Sequence, residues 1–309
     1  MHLLPSFARC FAADTPPQVR RAAEAIAHRF GRSLGALILT VTRGDAINRW
    51  ARPDWDDTYW EYWAGIGTIW LGGGLANSPL GERIRHHAAA MLTEDETCAC
   101  ALHLATHPSF LPLIGAARTV SPSGVAALVF DFGQSAIKRA FALYNGNELA
   151  SLHVLPSLSA PATFSTGGDD PTLDQVRGLA DQMVAVMSDT WRSVDILDRT
   201  LAAVLVASIA SYTVDGQPLP RQGVPYSYLH RLSDNAARWL ARQVSQRVGW
   251  SLDVALIHDG TSAARTYAGA DRAAVIMLGT ALGVGFVPLR EALYPIAHNL
   301  AVRPWEGDR

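Results

Sequence analysis

Apolar residues recur at Ala22, Ile26, Phe30, Leu34, Leu37 and Val41, a spacing close to 3.6 that predicts a helix over 16–43, opened by Pro16-Pro17. The pattern then changes period. IGTIWL (66–71) is a short unbroken apolar run that predicts a buried strand, followed by a glycine turn and a helix over 79–92. CACALHL (98–104) alternates and predicts a strand, and PSFLPLIGAART (108–119) predicts a short helical return. Between the first helix and the first strand, 44–65 is acidic and rich in tryptophan, with Trp50, Trp55, Trp60 and Trp63. These rings either pack this excursion onto its own lobe or offer a partner or ligand surface.

SPSG (121–124) is the clearest linker in the chain. Beyond it, VAALVFDFG, AIKRAFALYN and ELASLHVLP predict three strands, with turns at Gly133 and Asn145-Gly146. A polar loop (159–171), a helix from Leu173 to Ser188 and a buried strand AAVLVASIA (202–210) follow. A helix over 229–248, strand DVALIHD, a helix over 260–268 and a second glycine hairpin (273–289) lead into a short tail. Strands alternating with helices, without an internal period, indicate an α/β fold.

Composition narrows the classes. The 309 residues are 49% hydrophobic, enough for a sizeable core in one large domain or two lobes. A formal net charge of −2 advertises neither nucleic acid nor an anionic membrane surface. No run is long enough to span a bilayer and the N-terminal residues lack a signal pattern, so a soluble cytoplasmic protein is expected. Three cysteines make no disulfide framework.

Three places carry candidate chemistry. In Asp131-Phe-Gly-Gln-Ser-Ala-Ile-Lys138, a strand turns tightly at Gly133. Amide groups there, with the Ser135 hydroxyl, can cradle a phosphate, and Asp131 can hold a magnesium-bound water. Any hairpin, however, can contain Asp-x-Gly. Gly279-Thr280-Ala-Leu-Gly283-Val-Gly285 is a second glycine turn, either a phosphate clamp or a tight connection that needs only small residues. Asp259 stands where a buried strand meets a helix, the place for a general base or for a helix N-cap.

Together these pieces resemble the sugar-kinase/actin/heat-shock-chaperone ATPase superfamily, specifically its ROK (repressor, open reading frame, kinase) family. Asp131–Lys138 resembles that family's D-x-G-G-T-K-x-K, and His258-Asp259-Gly-Thr-Ser-Ala-Ala264 its N-D-A-N-A-A-A, whose Asp is the catalytic base. Gly279–Gly285 resembles its G-T-G-x-G-x-G, and SIASYTVDGQ (208–217) its P-G-x-V-D-G turn. Residues 22–41, IWLGGGLA (69–76) and PLIGAAR (112–118) resemble the family's last helix, adenosine-side glycine turn and final helix. They precede the phosphate hairpin, so the chain reads as a circular permutant.

The resemblance implies a two-lobed, ribonuclease-H-like ATPase fold, with lobe I at 121–268 and lobe II combining 1–120 with 269–309. It implies ATP and Mg2+ as cofactors and a small-molecule acceptor of the sugar class. Asp259 would be catalytic. Asp131, Gly133, Gln134, Ser135, Lys138, Gly279, Thr280, Gly283, Gly73 and Gly74 would hold the nucleotide, with Asp131 on magnesium through water. His298 and Asn235 are candidates for the acceptor side. No nucleic acid or membrane partner is expected, and a homodimer is the default oligomer.

Departures favour a second reading, a non-catalytic nucleotide or ligand sensor or an actin-like protein. Gln134 and Ala136 replace a glycine and a lysine of the phosphate hairpin, His258 replaces asparagine, and Tyr212 stands in place of a glycine. The sugar-contacting E-x-G-H aligns with Pro295-Ile-Ala-His298, which lacks the glutamate. The family's zinc motif is missing. Cys98 and Cys100 with His103 and His107 are ligand types, but strand alternation explains their spacing, and no zinc is expected.

Overall fold

The computed structural model describes residues 3–96, 98–120, 126–160, 170–195, 202–289 and 292–305. The expected linker at 121–124 and nearly all of the loop at 159–171 fall outside them. The chain begins with α1 (Leu3–Arg9), α2 (Pro17–Arg43), α3 (Ala46–Trp50) and α4 (Asp57–Ala64). Next come β1 (Thr68–Gly72), α5 (Pro79–Thr93), β2 (Ala101–Leu104) and α6 (Leu111–Ala117). Three long strands follow, β3 (Ala126–Phe132), β4 (Ala136–Asn145) and β5 (Glu148–Ser159), then α7 (Leu173–Asp195) and β6 (Val204–Ile209). A two-stranded corner, β7 (Thr213–Val214) and β8 (Gln217–Pro218), leads to α8 (Ala236–Val248), β9 (Asp253–His258) and α9 (Asp259–Arg265). The chain closes with β10 (Ala273–Leu278), β11 (Leu282–Phe286) and β12 (Ile296–Pro304). The fold is α/β and divides into two compact units.

The first unit comprises Met1–Leu111 and Gly269–Leu289. Its sheet has the order β11-β10-β1-β2: an antiparallel hairpin, then two strands parallel to β10. Helix α2 has the expected span but buries a different stripe. Ala23, Ala27, Gly31, Leu34, Gly35 and Ile38 face inward, while Ile26, Phe30 and Leu37 are exposed. Small residues four apart let the neighbouring helix α5 come close, and this outweighs the pull of the larger side chains. The segment 44–65 is two short helices, not an open excursion. Trp60 and Trp63 are buried, Trp55 stacks on Tyr59, and Trp50 remains exposed.

The second unit comprises Pro112–Ala268 and Arg290–Arg309. Its sheet runs β12-β5-β4-β3-β6-β9. Strands β3, β4 and β5 form an antiparallel meander, and β6 and β9 join parallel to β3. From β5 to β9 this is the strand order of a ribonuclease-H-like lobe. Every residue of β3 is buried, as a central strand between two layers requires. Helix α7 covers one face, its Leu179, Ala180, Met183 and Met187 sharing a core with Phe130 and Leu205.

Two segments that the resemblance assigned to the other lobe fall in this unit. The expected tail is strand β12, parallel to β5, with Trp305 against Phe141. Helix α6 meets α9 backbone to backbone at Gly115, where a Cβ would lie 1.6 Å from the Ser262 carbonyl oxygen. Arg118, buried, donates to the carbonyls of Arg265, Thr266 and Tyr294. The helix expected over 229–248 starts only at Ala236, after a 3-10 turn at Pro225–Arg231, because Asn235 caps it.

Candidate functional site

In the second unit the chemistry gathers where β3, β6 and β9 end. Asp131 sits one residue before the end of β3, directly across from Lys138 on β4 and Ser208 on β6. Residues opposite one another share a sheet face, so the three side chains converge. Ser208 Oγ donates to Asp131 Oδ1 at 2.9 Å, and Lys138 Nζ donates to Oδ2 at 3.1 Å. Asp131 is buried, and this pairing is what makes its charge tolerable there. Lys138 is the only lysine of the chain.

The turn from β3 to β4 is tight. Gly133 N–H donates to the Ala136 carbonyl at 3.1 Å, and the Gly133 carbonyl accepts from Tyr226 Oη–H at 3.2 Å. The Gly133 amide is therefore used by the fold itself. Among the described residues, the N–H groups of Gln134 and Ser135 have no protein partner, and they are the amides a bound anion could use. Burial and the nearby Asp131 push the Tyr226 hydroxyl well above its usual range, so it stays a donor.

Asp259 is the first residue of α9, and it is not the cap. The cap is His258, whose Nδ1 accepts the Thr261 N–H at 3.2 Å. Asp259 Oδ1 instead accepts the N–H of Gly260 at 2.7 Å. Burial, and after it the negative charge of Asp131, raise the Asp259 carboxyl to about 7, against the opposing pull of the Gly260 N–H and of Lys138. Its side chain is still 23% exposed, so a ligand can reach it. His258 moves the other way: burial, helped by Arg221, lowers it to about 4. Its Nε2 lies 3.2 Å from Asp259 Oδ1, and at neutral pH this is a contact between a neutral ring and a carboxyl group, not an ion pair. A carboxyl poised near neutrality at the end of a parallel strand can accept a proton from a hydroxyl or from water.

The first unit brings its own glycine turns together. Gly73 has φ +91°, and a Cβ on it would lie 2.4 Å from the carbonyl oxygen of Leu278. Leu75 N–H bonds to that same oxygen. The turn after β1 thus rests on the end of β10, next to Gly279 and Thr280. Gly74 and Gly279 lack such crowding: nothing lies within 4 Å of a Cβ on Gly74, and the nearest atom for Gly279 is 3.6 Å away. Gly283 continues this turn into β11.

Other candidates are set apart. His298 is exposed on β12, at the opposite edge of the sheet from β9, five strand spacings or about 24 Å across. Asn235 spends its amide on the fold. Its Oδ1 caps α8 through Arg238 N–H at 2.8 Å, and Nδ2 donates to the Asp215 carbonyl at 3.0 Å. The Cys100 thiol is pushed up to about 12 by burial and then by Cys98, which makes it a poor source of the thiolate that zinc needs. Sequence reasoning missed Ser208 and Tyr226. A serine inside the apolar run of β6 was the one available signal for Ser208.

No known family matches this sequence, and no curated protein does. Among solved structures, partial matches include an Aquifex aeolicus member of the Ppx/GppA protein family, at 12% identity and TM-score 0.24, covering 43% of this chain and 35% of that one. A type II variant of the Aquifex aeolicus Ppx/GppA phosphatase matches at 13% identity and TM-score 0.25, over 44% of this chain and 37% of its own. This chain therefore spans little more than a third of those proteins. At these scores the likeness carries no argument about function. Among the described residues, no helix is long and apolar enough to cross a membrane.

Proposed function

We propose that this chain is an ATP-dependent phosphotransferase whose acceptor is a hydroxyl group on a small molecule of the sugar class. The observation that carries the reading is Asp259, a carboxyl raised to about 7 and still accessible, in a sheet whose neighbouring strands supply Asp131, Lys138 and Ser208. Asp259 takes the proton of the acceptor hydroxyl as its oxygen bonds to the γ-phosphorus. The bond to the bridging oxygen breaks, and ADP leaves with that electron pair. The amides of Gln134 and Ser135, without a protein partner among the described residues, suit a phosphate. The first unit's turns at Gly73–Gly74 and Gly279–Gly283 taken by themselves allow close backbone approach to a flat or anionic ligand.

Both oxygens of Asp131 already accept one protein donor, so this carboxylate suits a metal-bound water better than direct ligation. Among the described residues, no group of three or more His, Cys, Asp or Glu comes together. Asp131 is the carboxylate that would take part in holding magnesium, which is commonly bound by one or two carboxylates together with substrate phosphates and would neutralise phosphoryl charge. The sheet orders support the permuted reading. Taken as β10, β11, β1, β2, the first unit repeats the order of β3, β4, β6 and β9: a hairpin, then two parallel strands beside its first strand.

The altered phosphate turn favours the sensor reading: Gln134 and Ala136 stand where the resemblance expects a glycine and a lysine, and Lys138 is paired with Asp131. One experiment separates the two: titration of the full chain with ATP and Mg2+, followed by a radiolabelled-phosphate transfer assay over a monosaccharide panel. Binding with transfer is the expected result. Binding without transfer to any hydroxyl acceptor selects the sensor, and no binding rejects both.

A further inference from the structure

We infer that Tyr226 is a positioning residue for the phosphate turn: by holding the Gly133 carbonyl it locks the Gly133–Gln134 peptide with the Gln134 N–H turned outward, free for a phosphate. The inference deepens the nucleotide-binding part of the reading above and rests on it for its functional meaning. The bond from Gly133 to Gln134 is trans, so the carbonyl of the first residue and the N–H of the second leave one rigid plane in opposite directions. Tyr226 Oη donates to the Gly133 carbonyl at 3.2 Å and fixes that plane from one side. The Gln134 N–H therefore points away from the tyrosine, and among the described residues it has no protein partner. A flip of this peptide would put the carbonyl oxygen where the N–H had been, and its partial negative charge would repel an anion there.

Glycine makes such a flip cheap, because no Cβ restrains the backbone at 133. The Gly133 N–H, which donates to the Ala136 carbonyl at 3.1 Å, anchors the preceding peptide but not this one. Holding the plane falls to the tyrosine. Its ring is buried and meets Phe132 edge to face, with centroids 6.4 Å apart, in a core shared with Ile209. The 3-10 turn that carries it is tied down next door by Ser227, whose hydroxyl lies 2.6 Å from the Arg221 carbonyl and 2.7 Å from that of Val224. Burial, and after it the charge of Asp131, keeps the Tyr226 hydroxyl protonated at neutral pH. A buried hydroxyl without a partner is costly, so the tyrosine and the carbonyl hold each other. Tyr226 need not touch the phosphate, since it acts through the peptide plane.

The test compares wild type, Tyr226→Phe and Tyr228→Phe as full chains labelled with 13C and 15N. Tyr226→Phe keeps the ring against Phe132 and removes only the donor. Tyr228 stands on the same turn, but its hydroxyl donates to Asp170 at 2.8 Å and accepts the Gly223 N–H at 3.3 Å, so its loss costs stability elsewhere. Nuclear magnetic resonance spectra are recorded without ligand, and calorimetric titrations use ATP with Mg2+. In Tyr226→Phe the Gly133 carbonyl resonance should move upfield and the Gln134 amide resonance should broaden or double. ATP affinity should fall about tenfold, the order expected for one well-directed donor to a charged ligand. Tyr228→Phe should keep both resonances and the affinity, with a comparable fall in melting temperature. Gly133 and Gln134 signals in Tyr226→Phe that overlay those of wild type overturn the inference, and so does an equal loss of affinity in the two variants. The ligand-free spectra judge the lock whether or not ATP binds, and absence of ATP binding by wild type would count against the nucleotide reading separately.

Discussion

Two strand ends invite comparison. Where β3, β6 and β9 finish there are Asp131, Lys138, Ser208 and Asp259; where β10 and β1 finish there are Gly279, Thr280 and Gly73–Gly74. The backbone plan is the same, a hairpin followed by parallel strands. The chemistry is not. The second unit buries charge and must pair it, while the first presents bare backbone with almost no side chain. A sheet end that does chemistry needs titratable groups with shifted proton affinity, whereas one that only holds a flat or anionic ligand needs close approach. On the proposed reading, the groups that react lie in the second unit, whereas the first unit contributes close backbone approach alone.

The sharpest break of that comparison is Asp259→Asn. Phosphoryl transfer should fall on the order of 10²–10⁴-fold, the usual worth of a general base, with ATP affinity nearly unchanged by calorimetric titration. Equal loss of affinity would mean that Asp259 itself helps to hold the nucleotide. Next in size is Gly73→Ala, which puts a Cβ against the Leu278 carbonyl at φ +91°. It should cost about 3 kcal/mol in denaturant unfolding and weaken nucleotide binding while sparing the Asp259 titration.

A smaller effect is read from pH. The raised Asp259 carboxyl contributes stability that is present below pH 4 and lost as pH rises through about 7. The depressed His258 contributes stability that is present above its ordinary value of 6.5 and lost as pH falls through about 4. Between those limits the two slopes, each up to about 1.4 kcal/mol per pH unit, oppose one another. Between about pH 4.5 and about pH 6.5 this pair should therefore leave the wild-type melting temperature nearly constant. Asp259→Asn should instead gain stability with rising pH over that window. Parallel melting curves for the two proteins would contradict the shifts. The smallest effect belongs to Gly279→Ala, where no backbone crowding exists; stability should change by less than about 0.5 kcal/mol. Any loss of ATP affinity in that variant then reports ligand contact alone.

Local patterns made most elements legible. The apolar runs of β1, β3, β6, β9 and β10 announced buried strands, and the glycines between them announced turns. What escaped was set by partners distant in sequence. Strand β12 carries a half-buried, mixed pattern that becomes a strand only because β5 offers a free edge. The face of α2 was decided by how closely α5 could approach, which periodicity alone does not reveal. Asp131, Lys138 and Asp259 stood out by residue type and spacing, and the sheet pairs the first two and sets the third at the end of a nearby strand. Ser208 did not, since its role depends on its register with Asp131 across β3 and β6. Asn235 and His298 were chosen for residue type, and the fold uses the first as a cap and sends the second to the far edge of the sheet.

The solitary lysine has a practical consequence. Apart from the α-amino group, this chain offers amine-directed reagents one target, Lys138, and that amine is clasped by the carboxylate of Asp131. Acylation or reductive methylation would therefore act as a single-site reporter. The degree of modification, weighed by intact-mass spectrometry, would track how often the clasp opens and whether a bound phosphate shields it.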